Sequence, residues 1–520
     1  MNIVIGSGPA GVFCALALLR RGAPVTMVDA GLTLEEHFKT AVKELQSIPP
    51  AQWSEHRLAK VRSATRATSS GVPEKYVLGS DYPFRWVDQR AQLEQRGVET
   101  LVSFARGGLS NVWGANMLPF EERDLTDWPI RLRDLEPHYR TVAKEVPIVG
   151  MRDRLEQLFP FYGEHIELPA SEQAQHLLHA LGRQKPWSGD ARLHFGRARV
   201  AIHSKQPGCV RCGLCLYGCP YDLIYSARHT LKALTAFPTF RYLPGVVVQR
   251  LQRGASGWKV EGHGFDGELV CLEGARVFLG CGVVNSARIV LETLEAPNRE
   301  IIVRDSQYFI TPMFLFKGPR NVLSEDLYTL AQVALQLHLP SASRYPLHLL
   351  VYTYNDLYRQ ALSSLPWPIS IMTKACSTQL LNRLVILQGY LHSHESPSYA
   401  LRLEGPPAQR RVILAARGNP RTKPLIRSGL WSLFRNSASL GAVPVVPMTK
   451  MGAVGKSYHG GASFPMREKP GPGESSVLGE LAELPGVHVV DASCFPSVPA
   501  TNLTYTVMAN AYRIGSEVAL

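Results

Sequence analysis

Residues 1–31, MNIVIGSGPAGVFCALALLRRGAPVTMVDAG, constrain the fold more than any other stretch of the chain. An apolar run, Ile3 to Ile5, leads into Gly6-Ser7-Gly8-Pro9-Ala10-Gly11; a helical pattern follows from Val12 to Arg21, and a second apolar strand ends at Asp29. A G-x-G-x-x-G turn is informative only in such a strand, turn, helix, strand setting. There Gly6 permits the tight turn, Gly8 lets the backbone approach a pyrophosphate, and Gly11 lets helix and strand pack closely. The helix start at Pro9-Ala10 leaves backbone N–H groups for an anion. Asp29 lies 18 residues after Gly11, where a ribose hydroxyl is usually held. These residues predict an α/β, Rossmann-like domain binding a dinucleotide, without separating FAD from NAD.

The chain has 520 residues, too many for one simple core, so two domains interleaved in sequence are expected. No apolar stretch reaches membrane-spanning length, and Met1 leads directly into the first strand, which predicts a cytoplasmic protein. Four of the nine cysteines crowd between Cys209 and Cys219, while Cys14, Cys271, Cys281, Cys376 and Cys494 are scattered. That asymmetry suggests metal binding better than a disulfide framework. The net charge of +13 is also uneven: no Asp or Glu occurs from Gly405 to Arg467, where Arg410, Arg411, Arg417, Arg421, Lys423, Arg427, Arg435, Lys450, Lys456 and Arg467 fall. Such a field would attract an anionic substrate, an acidic partner or a membrane surface; a solvated basic face is the competing reading. No nucleic-acid-binding module accompanies it.

Further along, Arg106 to Met117 (RGGLSNVWGANM) is a glycine-rich turn running into small residues, a form in which backbone donors can approach a ring or a phosphate. Asp134 to Tyr139 begins an amphipathic helix. Strand patterns cover Tyr242 to Leu251, Trp258 to Gly262, Leu269 to Leu272 and Ala275 to Leu279, and Gly280-Cys281-Gly282 then opens a helix. The central stretch mixes a strand, Leu347 to Thr353, with a helical run, Gln379 to Leu387. Arg62 to Gly71 is polar and carries no motif. Near the end, His459 sits on a glycine-flanked turn, Val487 to Ser493 reads as a strand ending in a polar turn, and Leu503 to Glu517 as a closing helix.

Taken together, the opening unit, the Gly107 to Asn116 loop, the strand and helix around Gly280 and the whole end from His459 to Ser516 resemble the glucose-methanol-choline family of FAD-dependent oxidoreductases. The resemblance implies an FAD-binding Rossmann-like domain with an interleaved substrate domain on a largely antiparallel sheet with covering helices. Residues 1–31, 99–150, 200–306 and 453–520 would form the first; 32–98, 151–199 and 307–452 the second. It implies non-covalent FAD held by Gly6, Gly8, Pro9, Ala10, Gly11 and Asp29, by Gly107, Ser110, Asn111, Gly114 and Asn116, and by Val246, Asp491, Ala492, Asn502, Leu503 and Thr504. A covalent link would use a histidine in the Gly107 loop, and none is there. The family's catalytic pair falls on His459 and Asn502. Moving a hydride from an alcohol carbon to flavin N5 leaves positive charge at carbon, so a near-neutral imidazole taking the hydroxyl proton lowers the barrier.

The sequence departs from the family pattern at Cys209, Cys212, Cys215 and Cys219, whose C-x2-C-x2-C-x3-C-P spacing is that of a bacterial ferredoxin run. An iron-sulfur cluster, [4Fe-4S] or [3Fe-4S], is the expectation, with a zinc or an empty cysteine-rich loop as the alternative. A cluster would favour a dehydrogenase passing electrons to a cytochrome, quinone or carrier protein. The expected reaction is oxidation of an alcohol or sugar, with an anionic substrate suggested by the basic run. The alternatives are a flavin-dependent carbonyl reductase and an electron-transfer or redox-sensing flavoprotein.

Overall fold

The computed structural model describes the chain except residues 63–75, 89–90, 184–185, 205–207, 256 and 359–376. The polar run Arg62 to Gly71 therefore lies almost wholly outside the described residues, as does Cys376.

The opening unit forms as the sequence predicts. Asn2–Ile5 and Val25–Val28 are buried parallel strands joined by the helix Pro9–Arg20, whose first turn begins at the proline. Two further strands from distant parts of the chain, Arg276–Leu279 and Val487–Val489, add on one side, and Phe240–Leu243 adds on the other. The result is a five-stranded, wholly parallel sheet in which the central strands are apolar on both faces, as burial between helices requires. Every strand ends toward the same edge, where Gly6, Asp29, Gly280 and Val490 gather. Open parallel sheets bind ligands outside that carboxyl edge.

The closing helix, Thr504–Glu517, packs against the opening one. Gly515 makes this possible: a Cβ there would lie 2.7 Å from the Cys14 carbonyl oxygen. Arg21 fastens the pair from the other side, donating from Nη1 to the carbonyls of Gly515 and Val518.

The second large sheet is antiparallel and has seven strands. Its main path runs Ala442–Pro444, Tyr308–Leu315, Leu384–Tyr390, Leu347–Tyr352, Val333–His338, Arg192–Arg197, with the short Lys450–Met451 pairing alongside Tyr308–Leu315. Leu335, Leu337, Leu347 and Leu349 pack one face against the helices Glu172–Gly182 and Thr422–Arg435. Tyr308, Tyr352, Tyr390 and His348 come from alternate positions and share the opposite face. The architecture is thus the expected Rossmann-like domain with a substrate-side antiparallel sheet and covering helices.

Two local expectations are corrected. The run Tyr242 to Leu251 is not one strand: Pro244-Gly245 breaks it, with Gly245 at φ +82°, and the chain passes from the parallel sheet into the three-stranded meander Val246–Arg253, Trp258–Gly264, Leu269–Gly274. Gln379 to Leu387 is not one helix either. It is helical only to Arg383, and Leu384–Tyr390 then becomes a central strand, because Val385 and Leu387 fill the sheet core from alternate positions.

Candidate active site

The glycine turn carries its function in its packing. A Cβ on Gly11 would sit 1.9 Å from the Gly6 carbonyl oxygen, and one on Gly6, at φ +96°, would strike Cys281. Gly8 is open by contrast, and the helix it begins has no side-chain cap and no acid in its first turn. Its free N–H groups and positive dipole end are available to an anionic group.

The second glycine loop lies on the first although 100 residues separate them. Ser7 Oγ accepts from the Gly107 N–H (2.9 Å) and donates to the Asp29 carboxylate, which also accepts from Tyr242 OH at 3.0 Å. A Cβ on Gly108 would be 3.3 Å from Gly8 Cα. Burial pushes the Asp29 carboxyl up to about 6, against the hydrogen bonds from Ser7 and Tyr242. Val246, at the start of the meander, bonds the Asp29 carbonyl through its N–H. Gly6, Gly8, Pro9, Ala10, Gly11, Asp29, Gly107 and Val246 thus converge on one edge.

Not every expected contact is left free. Asn111 donates to the carbonyls of Arg106 and Gly108 and accepts from Arg228 and Ser226, so its side chain pins the loop to the helix Ala227–Leu234. Ser110 does the same through the Gly107 carbonyl and the Ala227 N–H. Asp491 accepts from Gly282 N–H, Ser286 Oγ and Ser493 N–H, capping the helix Val283–Thr293. Only the backbones of these residues remain to meet a ligand. Gly114 lies under the Tyr352 hydroxyl, 3.1 Å from where a Cβ would stand, and Asn116 Nδ2 bonds the Gly114 carbonyl at 3.2 Å.

His459 and Asn502, 43 residues apart, meet: Asn502 Nδ2 stands 3.4 Å from His459 Nε2. Asn502 immediately precedes Leu503 and Thr504, which start the closing helix, and Ala492 accepts from the Ala462 N–H just beyond His459. The contact places the Asn502 amide beside Nε2, where an imidazole and an amide can share a substrate oxygen. Loss of hydration pushes the imidazole pKa down to about 4, so the ring is neutral near pH 7. Tyr390 stacks on it, ring centroids 4.9 Å apart.

The turn that presents His459 is held from below by Asp305, which sequence reasoning passed over. Its carboxylate accepts from Gly455 N–H and Ser457 Oγ, both at 2.7 Å, and Ser457 Oγ in turn accepts from the His459 N–H at 3.0 Å. Tyr458 and Ala462, on either side, hold left-handed backbone at φ +57° and +60°. Such conformations persist only where surroundings enforce them, and they cluster at functional sites. The one hint in the sequence was the polar triplet Asp305-Ser306-Gln307 between two apolar strands. His348, also missed, is wholly buried on the sheet face behind Tyr390; its Nδ1 meets Gln336 Oε1 at 3.0 Å, and Gln336 donates to Glu121.

Several buried polar atoms in this region have no partner among the described residues: His459 Nδ1, Ser463 Oγ, Ser493 Oγ, Thr501 Oγ1 and Asn502 Oδ1. Buried polar groups are normally paired. Their concentration beside an uncapped helix start and an open glycine fits a large polar dinucleotide lying along this edge.

Cys209, Cys212, Cys215 and Cys219 line one pocket together with Ile202, Tyr221, Leu223 and Ile224. The sequence expectation that they share a site is met in placement. They do not form a ligand set as they stand: among the described residues no group of three or more His, Cys, Asp or Glu side chains is arranged to hold a metal ion. Burial raises the thiols, Cys212 and Cys215 to about 12, which keeps them protonated unless a cation is present.

The acid-free run is largely neutralised in space. Arg410 pairs with Glu292, Arg411 with Glu94, Arg417 with Glu300, Arg421 with Glu395 and Arg467 with Glu474. Among the described residues no helix is long and apolar enough to cross a membrane.

No family model matches the chain, and no curated protein matches it. Among solved structures, pyridoxine 4-oxidase from Mesorbium loti aligns with 99% of this chain and 98% of its own, with a TM-score of 0.62 and 14% sequence identity. The whole architecture is therefore shared from end to end with a known oxidase at a level of identity that speaks for the fold.

Proposed function

We propose that the protein is an FAD-dependent oxidoreductase that converts a CH–OH group to a carbonyl. The observation that carries this reading is the pairing of a neutral His459 with Asn502 beside the carboxyl edge of a parallel sheet that ends in an open glycine turn. Gly6, Gly8, Gly11 and Asp29 would hold the nucleotide end of FAD, and the backbone from Gly107 to Asn116 with Leu503 and Thr504 its flavin end. Bound FAD would supply the hydride acceptor, N5.

Everything else in the reaction falls to the chain. His459 Nε2 takes the hydroxyl proton as the hydride leaves the same carbon. Asn502 Nδ2, 3.4 Å from Nε2, turns to the substrate oxygen and holds it for that transfer. Tyr390 fixes the ring plane of His459, and Asp305 fixes the height of its turn. The reacting end of the substrate is neutral on this reading: Tyr390 and His348 carry no charge there, since burial raises the phenol and pushes the His348 imidazole down to about 3. The fold shared with pyridoxine 4-oxidase, whose name describes oxidation of an alcohol, supports the same reaction class.

Electron transfer onward through the cysteine run is supported by its spacing and its common pocket. A cluster would need the four thiols of Cys209 to Cys219 drawn together as one ligand set. Dehydrogenase chemistry rests on that run alone, with oxygen as the competing acceptor.

The test is anaerobic flavin reduction by a panel of neutral alcohols and sugars. His459→Ala should keep its flavin spectrum and lose roughly 100-fold or more in reduction rate, the usual scale for a general base. In the unmodified protein the rate should stay level from pH 8 through 6 and fall only as pH drops toward 4, because the free His459 is already neutral above that value. Unchanged reduction in His459→Ala would exclude the base.

A further inference from the structure

Ten large apolar side chains are exposed among the described residues, and four of them, Phe316, Trp431, Phe434 and Met448, belong to one corner of the antiparallel sheet. The corner is built from the helix Thr422–Arg435, the edge strand Ala442–Pro444 and the short turn Val446–Met448, both packed on that helix. Phe316 joins it through its N–H bond to the Gly441 carbonyl, 3.0 Å. The helix is fixed by its inner side: Leu425, Ile426, Leu430 and Leu433 fill the sheet core, and Gly429 lets Leu347 reach the backbone. Its outer stripe is Lys423, Arg427, Trp431, Phe434 and Arg435, all exposed at the spacing of one helical face. Trp431 and Phe434 stand edge to face, ring centroids 5.4 Å apart and 85° between planes.

The charges on this stripe differ from the rest of the basic run. Arg410, Arg411, Arg417 and Arg421 are consumed by ion pairs, whereas Lys423, Arg427 and Arg435 have no acidic partner among the described residues. The helix contains no Asp or Glu, and Lys317 lies exposed next to Phe316. A helix face that exposes Trp431 and Phe434, with Lys423, Arg427 and Arg435 around them and no acid on the helix, has the chemistry of an interfacial element. Aromatic rings settle at the headgroup level, and basic side chains meet anionic phosphates. A nucleic acid would use the cations but leave Phe316 and Met448 without a role, and an acidic protein would need an apolar counterpart to the exposed rings.

We propose that the outer face of Thr422–Arg435, with Phe316 and Met448, is a docking surface for an anionic lipid bilayer, on which the protein rests without inserting a helix. The proposal stands apart from the reaction assigned to His459, since the docking helix lies behind the sheet face that carries Tyr390.

The experiment is co-sedimentation of the full-length protein with vesicles of phosphatidylcholine alone and of phosphatidylcholine mixed equally with phosphatidylglycerol. Binding to the mixed vesicles only, released by high salt, is expected. Changing Lys423, Arg427 and Arg435 together to Gln should weaken it about 100-fold, at about fivefold for each basic group near the surface. Trp431→Ser with Phe434→Ser should weaken it at low salt as well, with an unchanged melting temperature in both variants. Equal partitioning onto the two vesicle types, no binding, or binding indifferent to both variants would overturn the proposal. So would a change of oligomeric state in the variants without any vesicle binding, which would assign the face to a second copy of the chain.

Discussion

At the scale of single residues, the site depends on a carboxylate that never reaches the reaction. Asp305 is 1% exposed, and burial raises its carboxyl to about 6 in spite of the donors from Gly455 and Ser457. Because the folded value lies above the unfolded one, the ionised group costs stability as pH rises from about 4 to 6 and the cost is constant above that. A residue kept at such a cost is holding something in place. Removing it in Asp305→Ala takes the acceptor from Ser457, and with it the tie to the His459 N–H. The expected outcome is a modest loss of thermal stability, about 1–3 kcal/mol for the donors left unpaired, full flavin content, and a reduction rate down about 100-fold, the scale of a small misplacement of a reacting group. Asp305→Asn, which keeps one acceptor oxygen, should recover part of the rate. Equal rates in all three proteins at equal flavin content would remove Asp305 from the positioning of His459.

At the scale of elements, the opening unit was legible because each of its glycines is required locally. Gly6 and Gly11 touch each other's backbone within a six-residue turn, so the constraint is written where it acts. The His459 turn was legible only through resemblance, since its supports come from Asp305, Tyr390 and Ala492, none of them neighbours in the chain. The Asn111 side chain shows a related limit: it looks available in sequence, and only the distant Arg228 and Ser226 show that it is engaged, which leaves the backbone of the loop for a ligand. The cysteine run lies between these cases, as four thiols at ligand spacing that line one pocket without forming a metal-ligand set. Held there by burial with raised pKa values, they should react slowly with a thiol reagent at pH 7 in metal-free protein. Anaerobic reconstitution with iron and sulfide tests the run directly: uptake of both, with protection of all four thiols from that reagent, would require the loop to rearrange around a cluster. Protein that takes up neither iron nor sulfide and leaves the thiols equally open would reduce the run to a cysteine-rich loop.

At the scale of the whole molecule, charge that looks local in sequence proves to be distributed across the fold. Arg410 and Glu292 are 118 positions apart, and Arg417 and Glu300 are 117, so the acid-free run is compensated by partners that no sequence window contains. Exposed pairs of this kind, such as Arg411 with Glu94, contribute little singly. One ion pair is different. Arg288 and Asp88 meet at 3.2 Å with both side chains 1% exposed. Arg288 comes from the helix Val283–Thr293 that follows the parallel sheet, and it also donates to the Val248 carbonyl and Gln249 of the meander. Asp88 accepts from Gln249 and from the Ala91 N–H at the entry to the strand Gln92–Arg96, the edge of a separate four-stranded sheet with Arg411–Arg417, Ser398–Glu404 and Ile301–Arg304. The pair therefore ties the helix after the parallel sheet, the meander and the entry to the four-stranded sheet through one buried point. Breaking such a pair from one side leaves an uncompensated charge and costs about 3–5 kcal/mol. Asp88→Ala is expected to lose that much in urea unfolding, whereas Asp88→Ala combined with Arg288→Met should recover most of it, because the buried charge is gone. A double variant as unstable as the single one would mean that Arg288 matters for its bonds to Val248 and Gln249 rather than for its charge.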